Sequence, residues 1–428
     1  MKVYIETYGC WLNKGESQVM ASLLEKRGAR LVESIDEADV VIVNTCAVRG
    51  DTETKMLRRI RELEDYRRKL GFRLVVAGCL VNIRPKTILE ISPEASLVEP
   101  DAVEKIGDVV FSDKQVFFVR QYRGSRTILP RYSGGPTYVV PIQTGCLGNC
   151  AFCVEWVGRG RGVKSYSPRL IVDAVLDAVR RGAKEVYLTG QDVAAYGVDI
   201  GLSLVDLVEA ILESVEGEYW IRLGMMEPLL TFKQIDRLLV LVRDERMYKY
   251  FHIPVQSGDD RVLRLMNRKY TVQQYKDLVG KIRKGLGRWH SLVTDLIVGF
   301  PGEDEEAFLN SLKLIEELEF DKVHVARYTL RPFTRGYVMK GVLEPEKKRR
   351  SKMATEVVMK VAYRVNSRYI GQEREVLVNS VSMKGDFTGR TIEYKPVVLK
   401  GYSLKLGEKV RVKIVDATPV ALVGEVID

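Results

Sequence analysis

The chain has 428 residues, 46% of them hydrophobic, and a formal net charge of +10. That composition excludes a disordered or collagen-like chain, and the length predicts roughly two to four domains. No apolar run approaches the roughly 18–20 residues needed to cross a bilayer, and the opening MKVYIETYGCW lacks the apolar core of a signal peptide, so a cytoplasmic protein with no membrane partner is expected. A basic chain of this size points to a polyanionic partner, most often nucleic acid, although charge also serves solubility alone.

The first 120 residues alternate strand and helix. VYIETYGC, ADVVIVNTC and FRLVVAGC are apolar runs ending in Cys10, Cys46 and Cys79, with helical patterns between them, the first over Glu16 to Gly28. They predict a parallel sheet covered on both faces, which binds ligands at the carboxyl ends of its strands. Residues 121–137 lie in a stretch rich in Gly, Pro, Ser and Arg that reads as a linker. From 138 to 366 a second block offers six apolar strand candidates: YVVPIQTGC, EVYLTGQ, YWIRLGM, FHIPVQSG, VTDLIVGFPG and KVHVARYTL. With helical patterns between them, they predict a partial (β/α)6 barrel of the TIM type, with its site at the strand C-termini. The end of this block, Lys322 to Arg364, carries twelve Lys or Arg against three acidic residues, including the run at 347–350. Residues 367–428 alternate apolar and polar positions between Gly turns and predict a small antiparallel β-barrel, an architecture that suits RNA binding.

The six cysteines are too few for a stapled secreted fold and fall into two sets. Cys146, Cys150 and Cys153 form C-x3-C-x2-C after a strand. Three thiolates on one tight loop can hold three irons of a cubane cluster and leave the fourth open. A structural zinc site wants four ligands, and no fourth Cys or His lies near in sequence. Cys10, Cys46 and Cys79 are far apart in sequence, but each ends a predicted parallel strand, so all three should emerge on one sheet edge as a second three-thiolate set. The alternative is three buried small hydrophobes.

The spacing and place of the second motif resemble the radical S-adenosylmethionine (SAM) superfamily. That resemblance implies an iron–sulfur cluster whose open iron chelates SAM and cleaves it to a 5′-deoxyadenosyl radical. It also implies cofactor contacts at Phe152, at Gly190 and Gln191 in LTGQD, and at Gln256 and Ser257 in PVQSG. Asp192, Gly299 and Glu303 belong to the same motifs. Each position also reads as an ordinary strand-to-helix turn with an acidic cap.

With both cysteine sets, YGCWLNKGES, VNTCAVRG, VVAGCL, RGRG at Arg159 to Gly162 and HIPVQSGDDRVLRLMNRKYT, the whole chain resembles the MiaB/RimO/MtaB methylthiotransferases. GQDVAAYG and MMEP look most like the archaeal and eukaryotic threonylcarbamoyladenosine type. VEWVG after Cys153 and LRPFTRG, in place of the commoner Pro-Arg-Pro-Gly-Thr, depart from the family pattern. The resemblance implies an N-terminal methylthiotransferase domain, a radical SAM domain and a C-terminal TRAM domain. It further implies two [4Fe-4S] clusters, SAM, an electron donor, a sulfur source and a tRNA carrying threonylcarbamoyladenosine, thiolated and methylated at adenine C2. That C–H bond is unactivated, so side-chain bases cannot remove its proton and a cofactor-borne radical is required. Alternatives are the isopentenyladenosine reaction of MiaB, the ribosomal-protein aspartate reaction of RimO, and a non-enzymatic iron–sulfur protein.

Overall fold

The computed structural model describes residues 1–120 and 127–427, so the predicted linker falls partly outside the described residues. The N-terminal unit is one parallel sheet of β1 (Lys2–Thr7), β2 (Arg30–Leu31), β3 (Val40–Thr45), β4 (Arg73–Gly78), β5 (Ser96–Val98) and β6 (Phe117–Phe118), in the order β2-β1-β3-β4-β5-β6. The sequence predicts three strands; the extra three are only two or three residues long, with β2 and β6 at the edges and β5 between β4 and β6, too short to show a period. The centre strand is buried on both faces because alternate side chains enter different cores. Val41 and Val43 join Met56, Ile60 and Leu63 of the helix Gly50–Leu70, while Val40 and Ile42 join Val19, Met20 and Leu24 of the helix Trp11–Lys26.

In the middle unit, β7 (Thr137–Pro141) runs into a short antiparallel pair, β8 (Gln143–Cys146) and β9 (Gly162–Ser165), which holds the second cysteine loop between its strands. Parallel strands β10 (Glu185–Thr189), β11 (Trp220–Leu223), β12 (Tyr250–His252), β13 (Ser291–Val298) and β14 (Lys322–Arg327) follow. They form two three-stranded sheets, β11-β10-β7 and β12-β13-β14, joined by the parallel bridges Ile221–Met247 and Met225–His252. The result is an open six-stranded barrel. Val186, Leu188, Ile221 and Phe251 face the surrounding helices, and their alternates face the barrel interior.

The C-terminal unit closes into a five-stranded barrel, β15 (Glu373–Val381), β16 (Phe387–Thr391), β17 (Pro396–Leu399), β18 (Lys409–Ala417) and β19 (Leu422–Val426), in the order β15-β16-β17-β19-β18. TIEYKPVVL reads as one strand but turns back at Tyr394, whose φ is +64°, and the closing β17–β19 pair is parallel. Tyr394 plugs the floor of the middle barrel. Its ring lies 4.9 Å from Tyr248 and 4.7 Å from Tyr250, and its hydroxyl donates to Tyr187 Oη at 2.9 Å. Among the described residues no helix is long and apolar enough to cross a membrane.

The basic run at 347–350 is only partly a surface. It lies on the helix Glu344–Ser367, where Lys347 and Arg350 are buried. Lys347 donates to Tyr328 O at 3.1 Å and Arg350 to Glu303 O at 2.9 Å, while Arg349 pairs with Glu346 of its own helix at 2.7 Å. Half of the run therefore holds this helix to the barrel, and Lys348 is one member left exposed.

Gly78, at the end of β4, sets the approach to Cys79. Its φ is +95°, and a Cβ there would lie 2.4 Å from Thr45 O and 2.5 Å from Asn44 Oδ1. Gly71 also has a positive φ, at the end of the helix Gly50–Leu70, but a Cβ there meets nothing within 4 Å. Gly71→Ala should cost about 1 kcal/mol, and Gly78→Ala at least ~2–3 kcal/mol because backbone must also move. Urea unfolding of both variants checks this; equal losses would mean that the β3–β4 contact is not tight.

Candidate functional site

Both cysteine sets lie at the carboxyl ends of parallel strands, as the fold class requires of a site. Cys46 directly follows β3, Cys79 follows β4 and opens a short helix, and Cys10 lies three residues past β1 as the N-cap of Trp11–Lys26. Because β1, β3 and β4 are adjacent and in register, the structure brings the three together. Gly9 packs against Cys46, where a Cβ would lie 3.1 Å from the Cys46 sulfur. Asn13 ties the loops, donating to Tyr8 O and Thr45 O at 3.0 Å each and accepting from the Cys10 thiol at 3.5 Å.

Cys146 and Cys150 flank Gly148, whose amide donates to Cys146 Sγ at 3.2 Å, and the Cys153 amide donates to Cys150 O at 3.2 Å. A Cβ on Gly148 would lie 3.2 and 3.6 Å from the sulfurs of Cys146 and Cys150. The buried Arg268 donates to Cys150 Sγ at 3.2 Å and lies 3.5 Å from Glu227.

The two sets meet across the loop that follows Cys153. Arg159 on that loop is 4% exposed and reaches into the N-terminal unit. It forms a bidentate pair with Glu16, with one contact at 2.9 Å, and donates to Asn13 Oδ1 at 2.8 Å. Its charge acts on Cys10, Cys46 and Cys79 alike. Glu155, one turn earlier, lies 3.9 Å from Cys79 Sγ and also acts on Cys153, so one carboxylate stands between both sets. Burial pushes the Cys46 thiol up to about 11, the Cys146 thiol up to about 12, and Cys79 and Cys153 upward as well. Left to themselves these thiols stay protonated, so they are poor nucleophiles and require a bound cation to ionise.

Of the remaining predicted positions, Phe152 is the chain neighbour of Cys153, and Gln191 and Asp192 meet the strand that carries Cys146. Phe152 packs edge-on against Phe300 at 6.5 Å. A Cβ on Gly190 would strike the Gln143 side chain at 2.8 Å. Gln191 accepts from the Gly145 amide at 2.8 Å, while its Nε2 is buried without a partner; Gln256 has φ +72° and a buried, unpartnered Oε1. Those two orphaned amide atoms are what a polar ligand would satisfy. Ser257 instead accepts from the Asp259 amide at 3.3 Å. Asp192, pushed up to about 7 by burial, accepts from the amides of Ala194 and Glu227. Glu303, pushed up to about 7 by burial, accepts from Gly299 and Phe300. Ser257, Asp192 and Glu303 thus cap turns, and Asp192 Oδ2 is a further buried atom without a partner among the described residues.

Sequence reading missed the polar interior of the barrel. Arg222 lies among Tyr187, Tyr250 and Tyr394, 4.9–5.3 Å from their ring centres, and donates to Tyr250 Oη at 3.1 Å. Among the described residues it has no carboxylate partner, and its Nε has no acceptor. His252 Nε2 lies 3.0 Å from Asp295 Oδ1, with His324 beside them; burial lowers His324 to about 4 and keeps it neutral. The alternation of polar residues on adjacent strands was the available signal.

Residues 2–99 match the uncharacterized protein family UPF0004, residues 140–315 the Radical SAM superfamily, and residues 367–427 the TRAM domain. The chain is 39% identical to a probable threonylcarbamoyladenosine tRNA methylthiotransferase of Pyrococcus abyssi and 37% identical to one of Pyrococcus horikoshii, with 100% of both partners covered each time. The chain belongs to the MiaB/RimO/MtaB methylthiotransferase family of radical SAM enzymes. This methylthiotransferase is also 32% identical to a tRNA-2-methylthio-N(6)-dimethylallyladenosine synthase of Thermotoga petrophila, covering 100% of this chain and 97% of that one. Its fold is similar to the radical SAM methyltransferase TsrM from Kitasatospora setae (TM-score 0.58, 14% identity, 79% of this chain and 77% of that chain). It is also similar to the cobalamin-dependent radical enzyme OxsB (TM-score 0.53, 12% identity, 84% and 55%).

The Arg159–Glu16 pair generates a stability prediction for the methylthiotransferase. Arg159→Met removes the buried guanidinium that faces the Glu16 carboxylate and should cost about 3–5 kcal/mol, while adding Glu16→Met should recover much of it. A double-mutant cycle by chemical denaturation measures this, and additive losses would show that the pair is not coupled.

Proposed function

We propose that the chain methylthiolates C2 of the N6-threonylcarbamoyladenosine beside the tRNA anticodon. The observation that carries this reading is the pairing of two incomplete thiol sets across one loop. Full-length relatives bearing that activity in their names support it. The donor sets fit iron–sulfur clusters. The first set has Cys46 and Cys79 buried and Cys10 exposed, the second has three partly buried thiols, and each has a close-packed glycine at a sulfur and a guanidinium to offset thiolate charge. When bound, two [4Fe-4S] clusters and SAM supply the radical that breaks the C–H bond and the sulfur and methyl that replace the hydrogen.

The chain's own residues divide that work. Cys146, Cys150 and Cys153 hold one cluster, with Arg268 and the Gly148 amide donating to their sulfurs. Phe152, Gly190, Gln191, Gln256 and Ser257 surround the cofactor; Gln191 and Gln256 offer it their unpaired amide atoms. Cys10, Cys46 and Cys79 hold the other cluster, and Asn13 and Arg159 fix their loops. The N-terminal unit meets the barrel through Arg159, whose side chain is buried with Glu16 and Asn13. Inside the barrel, the Arg222 guanidinium, which has no carboxylate partner among the described residues, suits a substituent bearing a carboxylate, as the threonylcarbamoyl group does, better than an apolar dimethylallyl group. Residues 1–120 act as the sulfur-presenting domain, 121–137 as its linker, 138–366 as the radical domain and 367–428 as the RNA-binding barrel. A one-electron donor and a sulfur source complete the partners of an enzyme that we assign to the cytoplasm.

With reconstituted protein, SAM, reductant and tRNA bearing the threonylcarbamoyl group, mass spectrometry should detect 5′-deoxyadenosine and a methylthio nucleoside. Cys146→Ala should abolish both products. Cys46→Ala should retain 5′-deoxyadenosine and lose the methylthio nucleoside. Normal thiolation by Cys46→Ala would remove the sulfur-carrying role from its set, and equal use of tRNA lacking the threonylcarbamoyl group would remove the substrate assignment.

A further inference from the structure

A cavity of about 530 Å³ lies between the N-terminal unit and the barrel loop, lined by Asn82 and Glu99 on one side and by Gly158 and Arg159 on the other. Gly158 also packs on Cys79, with its Cβ position 3.2 Å from Cys79 Cβ, so the cavity borders the first cysteine set. Two aromatic side chains with no part in the chemistry above, Trp156 and Phe333, line it. Each faces a guanidinium. Arg161 lies 4.4 Å from the centre of the Trp156 ring, and Arg120 lies 5.1 Å from that of Phe333. Among the described residues neither guanidinium has a carboxylate partner: Arg161 donates to Asn149 Oδ1 at 3.4 Å and Arg120 to Asn82 O at 2.8 Å.

The backbone adds a second observation. Arg120 and Phe333 both adopt left-handed conformations, with φ of +54° and +66°. A bulky residue pays for that geometry in strain, and glycine would take it freely. Phe333 is 55% exposed, so core packing does not offset the strain. VEWVG and LRPFTRG, the two segments that depart from the family pattern, are the ones that supply Trp156 and Phe333.

We propose that this cavity holds one unpaired nucleotide of the RNA substrate, its base stacked on the aromatic rings and its phosphate held by Arg120 and Arg161. The proposal rests on the tRNA reading and names a further contact for it. The cavity's carboxylates have other partners, Asp101 pairing with Lys164 and Glu99 accepting from the Arg120 amide at 2.9 Å. Flat π-faces beside guanidinium groups that form no ion pair among the described residues are what an unstacked base and its phosphate require, and an anticodon loop supplies both without melting a duplex. The cavity's place beside Cys79 suits a base close to the one being modified.

The test uses the full-length, cluster-reconstituted protein and an anticodon stem-loop bearing threonylcarbamoyladenosine, with 2-aminopurine placed at each loop position in turn. Wild type should quench one position on binding. Phe333→Gly and Trp156→Leu should lose that quenching and weaken affinity roughly five- to a hundredfold, the range for loss of one base–aromatic stack. Phe333→Tyr should restore both. Phe333→Gly should also melt at the same or a higher temperature, because glycine removes the strain. Unchanged affinity and quenching in the variants overturns the proposal, as it would if the cavity took a protein segment. A lower melting temperature for Phe333→Gly overturns the claim that Phe333 is kept for binding rather than packing. Wild type that binds and quenches but makes no methylthio product would sink the proposed reaction and leave the cavity assignment standing. Variants that make product with an unchanged KM would do the reverse.

Discussion

The arrangement depends on one buried ion pair. Arg159 leaves the barrel loop, enters the N-terminal unit and meets Glu16 and Asn13 where water is excluded. A guanidinium in that position without its carboxylate carries a desolvation penalty of several kcal/mol. The pair therefore fixes how the two units sit, more through what its disruption would cost than through net attraction. Arg331 makes a second crossing, pairing with Glu53 at 2.7 Å. Between these clamps the sheet edge bearing Cys10, Cys46 and Cys79 is held against the loop of Cys146, Cys150 and Cys153.

Burial does the chemical tuning. The same exclusion of water that makes the ion pair strict raises the thiols far above their ordinary range, to about 11 for Cys46 and about 12 for Cys146. Thiols so disposed ionise when positive charge arrives with a metal. Arg159 and Arg268 supply part of the compensation, one beside each set. Glu155 opposes it from between them, with burial pushing its own carboxyl upward.

Charge at the surface and charge inside have separate duties. The basic segment reads as one phosphate-tracking surface, yet Lys347 and Arg350 turn inward to hold a helix against the barrel. Arg222 is buried among tyrosines with no carboxylate partner among the described residues, while Arg120 and Arg161 lie against aromatic rings at a cavity rim. A count of Lys and Arg gives all of these equal weight. Only packing separates the cations that hold the fold from those left available to an anion.

Local chemistry was legible in the order of residues. The spacing of Cys146, Cys150 and Cys153 is a property of one loop, and the apolar runs of the two α/β units are periodic patterns that survive without neighbours. The placement of Cys10, Cys46 and Cys79 at strand ends followed from the same patterns. Contacts between units were not legible. Nothing near Arg159 in sequence announces Glu16, and nothing near Tyr394 announces the barrel floor, because both depend on which surfaces meet after each unit has closed. The strained Phe333 was invisible for a related reason. A backbone angle that no bulky residue prefers is imposed by the surrounding chain, so its identity appears in the sequence and its conformation only in the fold.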